Sequence, residues 1–223
     1  MKRIGIVGAG RFGSSLAQSL VDRGVEVLIL DRSRDIVDHM AGIAAKAMEG
    51  DATEEGTLEA SGFRDCDIVV VAVGSDMESS ILTTLILKEM KIPCVITKAA
   101  SDVHGKVLQK VGADRVVYPD RDVAARLARS LVSPSVLDYV EVAEGISVIE
   151  IAAPMELVGK TLGELQMRKN YGVTVLVLRR AKQDEGKQDT IVSPDADDTV
   201  ELGDTIVIFG LDEKLRRLEQ EIT

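Results

Sequence analysis

The chain is short of the residues that build covalent or metal-held frameworks. Its 223 residues include two cysteines and two histidines. Cys66 and Cys94 have neither CxxC spacing nor a histidine nearby, and each lies in or beside an apolar run where a free thiol behaves as a small hydrophobe. Disulfide stapling is excluded, and a reducing, cytoplasmic setting is expected. His39 and His104 show no spacing for zinc or for a nucleophile–base pair, so both are read as structural or merely exposed. Long hydrophobic runs are missing too. Stretches such as Ile68 to Val73 fall far short of the roughly 20 residues that cross a bilayer, and the N-terminus enters a strand-like pattern at once. A soluble protein without a signal peptide or membrane insertion is the expectation. Positive charge is scarce: 27 Lys and Arg stand against 37 Asp and Glu, for a net charge of −10. Residues 136–223 hold 10 basic side chains against 18 acidic, whereas residues 1–135 hold 17 against 19. Such a surface suits neither nucleic acid nor anionic lipid.

What is present is a long βαβ alternation. Arg3–Val7, Val25–Leu30, Ile68–Val73, Cys94–Thr97 and Val116–Tyr118 read as strands that are apolar on both faces. Amphipathic helical segments such as Phe12–Arg23 and Ser79–Met90 lie between them. This pattern predicts a doubly wound parallel sheet over residues 1 to about 120. Asp122–Leu131 is helical in pattern, and the Ser133-Pro134-Ser135 break marks a linker. The predicted domains are therefore 1–134 and 135–223. Beyond the break the period becomes strand-like in Tyr139–Ala143, Ile146–Ile151, Val173–Leu178 and Thr205–Phe209. With a short helix at Thr161–Leu165 and another from Asp212, this part reads as a compact α+β module. The polar stretch Lys182–Asp189 reads as a solvated hairpin loop.

The chemistry gathers at the carboxyl edge of the predicted sheet. Gly8-Ala9-Gly10-Arg11-Phe12-Gly13 follows the first strand and opens the first helix, the context in which GxGxxG acquires meaning. Gly8 permits a tight turn, Gly10 lets a phosphate approach the backbone, and Gly13 lets the helix pack on the strand. The helix N-terminus adds free N–H donors and positive potential. Asp31 ends the second strand about 20 residues later, where a carboxylate accepts from both ribose hydroxyls and repels a 2′-phosphate. Together these favour an adenosine-containing nucleotide, with Arg32 beside it. Arg11 stands where a guanidinium can swing over terminal phosphates, or remain a surface arginine. In Gly50-Asp51-Ala52-Thr53, Asp51 is placed to accept from the exocyclic amine of adenine, to form an Asx-turn or N-cap, or both. Val73-Gly74-Ser75-Asp76 and Lys98 belong to the same crevice by topology. The second module has no histidine or cysteine to serve as an acid–base group, so the nucleotide is read as an effector rather than a substrate.

With Gly8–Gly13, Asp31, Gly50–Thr53, Tyr118-Pro119-Asp120, Val158-Gly159-Lys160-Thr161-Leu162, Arg168 and Tyr171-Gly172 in place, the whole chain resembles the RCK (regulator of K⁺ conductance) family, in the manner of KtrA and TrkA regulatory subunits of bacterial potassium uptake systems. The resemblance implies a Rossmann-like N-terminal lobe, dimer contacts through about Asp122 to Ser135, and a small C-terminal regulatory lobe. It implies NAD(H), ATP or ADP in the first lobe with Arg11 reaching the phosphates. It further implies a cytoplasmic octameric ring of dimers docked beneath a membrane-embedded potassium-translocating subunit. Where such proteins commonly carry a glutamate that helps hold a divalent cation, this chain has Asp120. Relatives that bind cyclic di-AMP between C-terminal lobes use residues matching Arg168, Val173 and Pro194, with threonine here at 174 in place of a frequent asparagine. Two other functions fit the same residues: an NAD-dependent oxidoreductase, and a redox- or energy-sensing scaffold for a soluble partner.

Overall fold

The strands of the first half are runs of β-branched and aliphatic residues, each followed by a glycine-rich or capped turn into a helix, and this sequence pattern builds a parallel sheet. In the computed structural model, which describes residues 2–74, 76–132, 136–181 and 189–221, the order is β1 (Arg3–Val7), α1 (Arg11–Val21), β2 (Glu26–Asp31), α2 (Arg34–Met40), β3 (Lys46–Glu49), α3 (Glu55–Ser61), β4 (Ile68–Val71), α4 (Met77–Glu89), β5 (Val95–Lys98), α5 (Asp102–Val111), β6 (Arg115–Val117) and α6 (Pro119–Val132). The six strands lie in the order β3-β2-β1-β4-β5-β6, every pair parallel. The order reverses between β1 and β4, and a ligand crevice is expected outside the carboxyl ends of those two strands.

Two apolar layers cover the faces of this sheet. On one, Leu30, Leu58, Phe63, Val69, Val71, Leu87 and Val95 are fully buried; on the other, Ile6, Ala17, Val27, Ile29 and Met40 are. Cys66 is buried in the first layer, and burial pushes its thiol up to about 11, so it stays protonated and apolar in behaviour. Helix α4 departs from the amphipathic pattern read from its sequence. It turns Ser79, Ser80, Thr83 and Thr84 inward and leaves Met77, Leu82 and Leu85 about two-fifths exposed, at 42%, 40% and 41%. The reversal is physical rather than accidental: short hydroxyl side chains let the helix lie close to the sheet, and Thr84 returns its hydroxyl to the Ser80 carbonyl at 2.7 Å.

The second half continues with β7 (Val136–Ala143), β8 (Ile146–Ala152), α7 (Leu162–Leu165), α8 (Met167–Asn170), β9 (Thr174–Arg179), β10 (Thr190–Val192), β11 (Thr205–Leu211) and α9 (Asp212–Glu221). Its five strands form an antiparallel sheet in the order β10-β9-β11-β8-β7. Ile149, Ile151, Leu178, Ile206 and Ile208 point from it onto Leu215 and Leu218 of α9, forming a separate core. Ser147 and Tyr139 both bond the Asp212 carboxylate, which fixes the start of α9 on the β7–β8 hairpin. The chain divides into compact units at Met1–Asp120 and Arg121–Thr223. The Ser133-Pro134-Ser135 break and residues 182–188 of the expected hairpin loop lie outside the described residues, as does Ser75.

Candidate functional site

The three glycines of the first turn answer to different demands. Gly8 has φ +85, and a Cβ there would meet a Val73 methyl at 2.9 Å. A Cβ on Gly13 would lie 2.0 Å from the Gly8 carbonyl oxygen. Both are therefore required by the fold itself. Gly10, the N-cap of α1, has φ −63 and ψ −168, which any residue adopts, and a Cβ on it would meet nothing within 4 Å. No contact with the described residues makes position 10 a glycine; the open space lies over the α1 N-terminus, where free N–H groups favour an anion.

That space belongs to a cleft of about 230 Å³ lined by Gly8, Gly10, Asp31, Arg32, Ala52, Val73 and Gly74, together with Ile36, Ala72, Ser79 and Thr83. It sits at the carboxyl ends of β1, β2 and β4. Gly8, Gly10, Asp31, Arg32, Ala52, Val73 and Gly74 were read from the sequence; Ile36, Ala72, Ser79 and Thr83 were not. The signal for the last two was the Ser79-Ser80 and Thr83-Thr84 spacing, one helical turn apart beside a strand end.

Around the cleft each remaining residue has a defined place. Asp31 accepts from the Ala9 amide at 2.6 Å and from the Ser33 amide at 2.8 Å, so its carboxylate ties the glycine turn to the end of β2. Asp51 forms the expected Asx-turn, accepting the Thr53 amide and hydroxyl at 2.8 and 2.7 Å, and also takes Arg32 Nη2 at 2.9 Å. The hydrogen bond from Arg32, followed by those from Thr53, pushes Asp51 down to about 2. Asp76 caps α4 through the Ser79 amide at 3.0 Å, and the Ser79 hydroxyl holds its carboxyl below the usual range.

Lys98 runs alongside Gly74 to reach Asp120 at 3.1 Å, with its ammonium 5.6 Å from the centre of the Phe12 ring. Tyr118 packs so tightly on α5 that a Cβ at Gly105 would fall 1.8 Å from its hydroxyl, which fixes where Pro119 and Asp120 emerge. Asp120 is thus paired with a lysine, and among the described residues no cluster of three or more His, Cys, Asp or Glu could hold a metal ion. Arg11 is exposed on the first turn of α1 and has no ion pair among the described residues. His104 is buried, accepting the Ala100 amide on Nδ1 at 3.2 Å, away from the cleft lining; His39 lies in the last turn of α2.

In the second unit, Arg168, Val173 and Pro194 come together with Met167, Lys169 and Thr174 around an open cleft of about 490 Å³. Arg168 reaches the Thr174 hydroxyl at 3.5 Å.

Residues 4–119 match the TrkA-N domain, and residues 146–223 match the TrkA-C domain. The chain is 41% identical to the "Ktr system potassium uptake protein C" of Bacillus subtilis (strain 168), over 99% of this chain and 97% of that protein. The chain belongs to the TrkA/KtrA family. Within it, the "Ktr system potassium uptake protein A" of Vibrio alginolyticus is 36% identical over 96% of this chain and 94% of its own. Among solved structures, the "GsuK channel bound to NAD" matches 100% of this chain and 38% of its own at 23% identity, with a TM-score of 0.55. The "GsuK bound to ADP" is 26% identical over 60% of this chain and 34% of its own, with a TM-score of 0.51. The chain spans less than half the length of those channel chains. In TrkA/KtrA terms, the cleft with Gly10 lies in the TrkA-N domain, and the cleft with Arg168 lies in the TrkA-C domain.

Proposed function

We propose that this chain is a cytosolic, nucleotide-binding gating subunit that controls potassium transport through a membrane-embedded Ktr- or Trk-type partner. One observation carries the reading: Gly10, which no internal contact requires to be glycine, faces an open cleft at a helix N-terminus in a chain related over its whole length to Ktr proteins. ATP, ADP or NAD(H) places its phosphates over Gly10 with Arg11 across them, and its ribose near Asp31. The carboxylate of the cleft lining, Asp31, is held by the Ala9 and Ser33 amides rather than left free to transfer a proton, which favours an effector over an oxidoreductase substrate.

The functional division falls after residue 134, with α6 as the crossover helix of an N-terminal nucleotide-binding domain. Val123 and Leu131 of α6 are exposed, as are Met77, Leu82 and Leu85 of α4. Copies associate through α6 into dimers and then into a ring, an octamer, beneath the membrane partner; no helix among the described residues is long and apolar enough to cross a membrane itself. A ring divides the work of gating: moving a pore from mostly closed to mostly open takes about 5.5 kcal/mol of differential binding, shared among subunits. Asp120, paired with Lys98 in this structure, would be the residue of this chain to hold a divalent cation beside the phosphates, and Arg168, Val173 and Pro194 would receive cyclic di-AMP. The test is potassium uptake in cells that depend on a Ktr-type membrane subunit co-expressed with this chain. Uptake that requires the chain and is lost in Gly10→Ala supports the reading; uptake indifferent to the chain refutes it.

A further inference from the structure

Both carboxylate oxygens of Asp31 are held by the chain itself. Oδ2 accepts from the Ala9 amide at 2.6 Å, and Oδ1 accepts from the Ser33 amide at 2.8 Å. The Ser33 bond is local, two residues along, whereas the Ala9 bond spans 22 residues and reaches into the glycine turn. Ala9 is only 2% exposed, so its N–H has little access to water, and Asp31 supplies the partner. Next to it, the Gly8 amide donates to the Leu30 carbonyl at 2.9 Å. Two successive amides therefore fasten the turn to the end of β2, the first through a main-chain oxygen and the second through a side chain.

Gly8 and Gly10 line the cleft, and Ala9 between them does not. The Ala9 amide is committed to Asp31, so an anion over Gly10 meets the amides that open α1. Those amides have no competitor among the described residues: no side chain caps α1, and its first turn contains no acidic residue. We propose that Asp31 is a positioning residue for the phosphate end of the cleft: by holding the Ala9 amide it fixes the glycine turn so that Gly10 and the first amides of α1 face an anion. This task is separate from accepting a ribose hydroxyl, and the two coexist, since each carboxylate oxygen has a second lone pair. The inference rests on the cleft being the nucleotide site.

The two tasks respond to Asp31→Asn with opposite signs. Asp31 is an anion beside an anion's site, so if it served the ribose alone, its neutralisation would relieve repulsion on the phosphates. ATP would then gain on adenosine, which shares its ribose and base and lacks its phosphates. A residue that holds the turn gives the reverse. Asparagine offers one acceptor oxygen in place of two, and its NH₂ group cannot accept the second N–H. The turn loosens, and the phosphates lose more than the ribose does. The experiment titrates the whole chain, Asp31→Asn and Asp31→Ala with ATP and with adenosine by calorimetry. Amide exchange at Ala9 is followed by NMR in the ligand-free proteins, and thermal melting checks that they fold. The ratio of ATP to adenosine affinity should fall by about threefold or more in Asp31→Asn, and at least as far in Asp31→Ala, which offers no acceptor. Ala9 exchange should be slow in wild type and fast in both variants, while Ile4 and Ile6 of β1 stay protected. A ratio that is unchanged or rises overturns the proposal. So does fast Ala9 exchange in the wild type, a result that needs neither variant to fold. Wild-type protein with a protected Ala9 amide that binds no ATP overturns the nucleotide reading itself and this inference with it.

Discussion

Gly13 faces the Gly8 carbonyl so closely that a Cβ on Gly13 would stand 2.0 Å from its oxygen, whereas Gly10, midway between them, faces open space. Two kinds of glycine therefore share one turn. Gly13→Ala should destabilise the first unit by about 3 kcal/mol or more, since helix α1 must move off β1. Gly10→Ala should cost no more than about 1 kcal/mol, since its backbone angles suit alanine while the N-cap position favours glycine over it. It should nonetheless weaken ATP and ADP by about tenfold or more, as the methyl occupies the phosphate approach. Urea unfolding and nucleotide titration of the two variants separate these outcomes.

Arg11 sits on the first turn of α1, exposed and without an ion pair among the described residues. Arg11→Ala should therefore change the melting temperature very little. Its charge-assisted hydrogen bonds to terminal phosphates contribute about 1.5–3 kcal/mol each, so ATP affinity should fall by more than tenfold while AMP affinity stays nearly constant. Equal loss for ATP and AMP would place Arg11 elsewhere than at the terminal phosphates.

His104 brings a pH dependence with a definite sign. Burial holds its imidazole below the usual 6.5. The unfolded chain takes up a proton near 6.5 and the folded chain resists it, so stability is complete above that pH and falls as pH drops through it. In His104→Asn, whose side-chain oxygen can replace Nδ1 as acceptor for the Ala100 amide, the loss between about pH 6.5 and 5 should be shallower. Urea midpoints across that range give the answer. Parallel curves for wild type and variant would show that His104 does not carry the effect.

The antiparallel unit contains a buried ion pair. Asp204, 1% exposed, accepts Arg180 Nη1 at 2.6 Å and the Glu201 amide at 2.9 Å, and Arg180 also donates to the Thr199 carbonyl at 2.7 Å. Removing one partner of such a pair leaves an uncompensated charge, at about 3–5 kcal/mol. Asp204→Asn should destabilise the second unit by an amount near the lower figure, seen as faster amide exchange in β9 and β11. Nucleotide affinity in the first unit should be unchanged.

Where local pattern determines structure, the sequence was sufficient. Strand β1 begins and ends where its apolar run does, and the parallel sheet follows from repeated runs of that kind. Strand β4 stops at Val71 rather than Val73 because its partner in β1, Val7, is that strand's last residue and the left-handed Gly8 turns the chain away after it. Helix α6 starts at Pro119, three residues before its apolar period, since proline at a first helical position loses no hydrogen bond. The three-residue strand β10 is too short to show a period and went unread. Helix α4 could not be oriented from its pattern, because four of its five buried residues, all but Leu87, carry hydroxyls.

The candidate cleft was legible in Gly8, Gly10 and Asp31, whose places in it follow from spacing along a strand–turn–helix. It was not legible in the pairs that close it. Arg32 with Asp76, Lys98 with Asp120 and Asp31 with the Ala9 amide each join loops that only the sheet order brings together. The side-chain oxygen of Asp51 has a local partner in Thr53 and a distant one in Arg32, and spacing reveals only the first.

The most direct measurement is calorimetric titration of nucleotide-stripped protein with ATP, ADP, NAD and NADH, alongside Gly10→Ala. The account predicts saturable binding of at least one of these at about one site per chain, and its loss in a variant that melts like wild type. Absence of binding to any of them, or binding indifferent to Gly10, would contradict it.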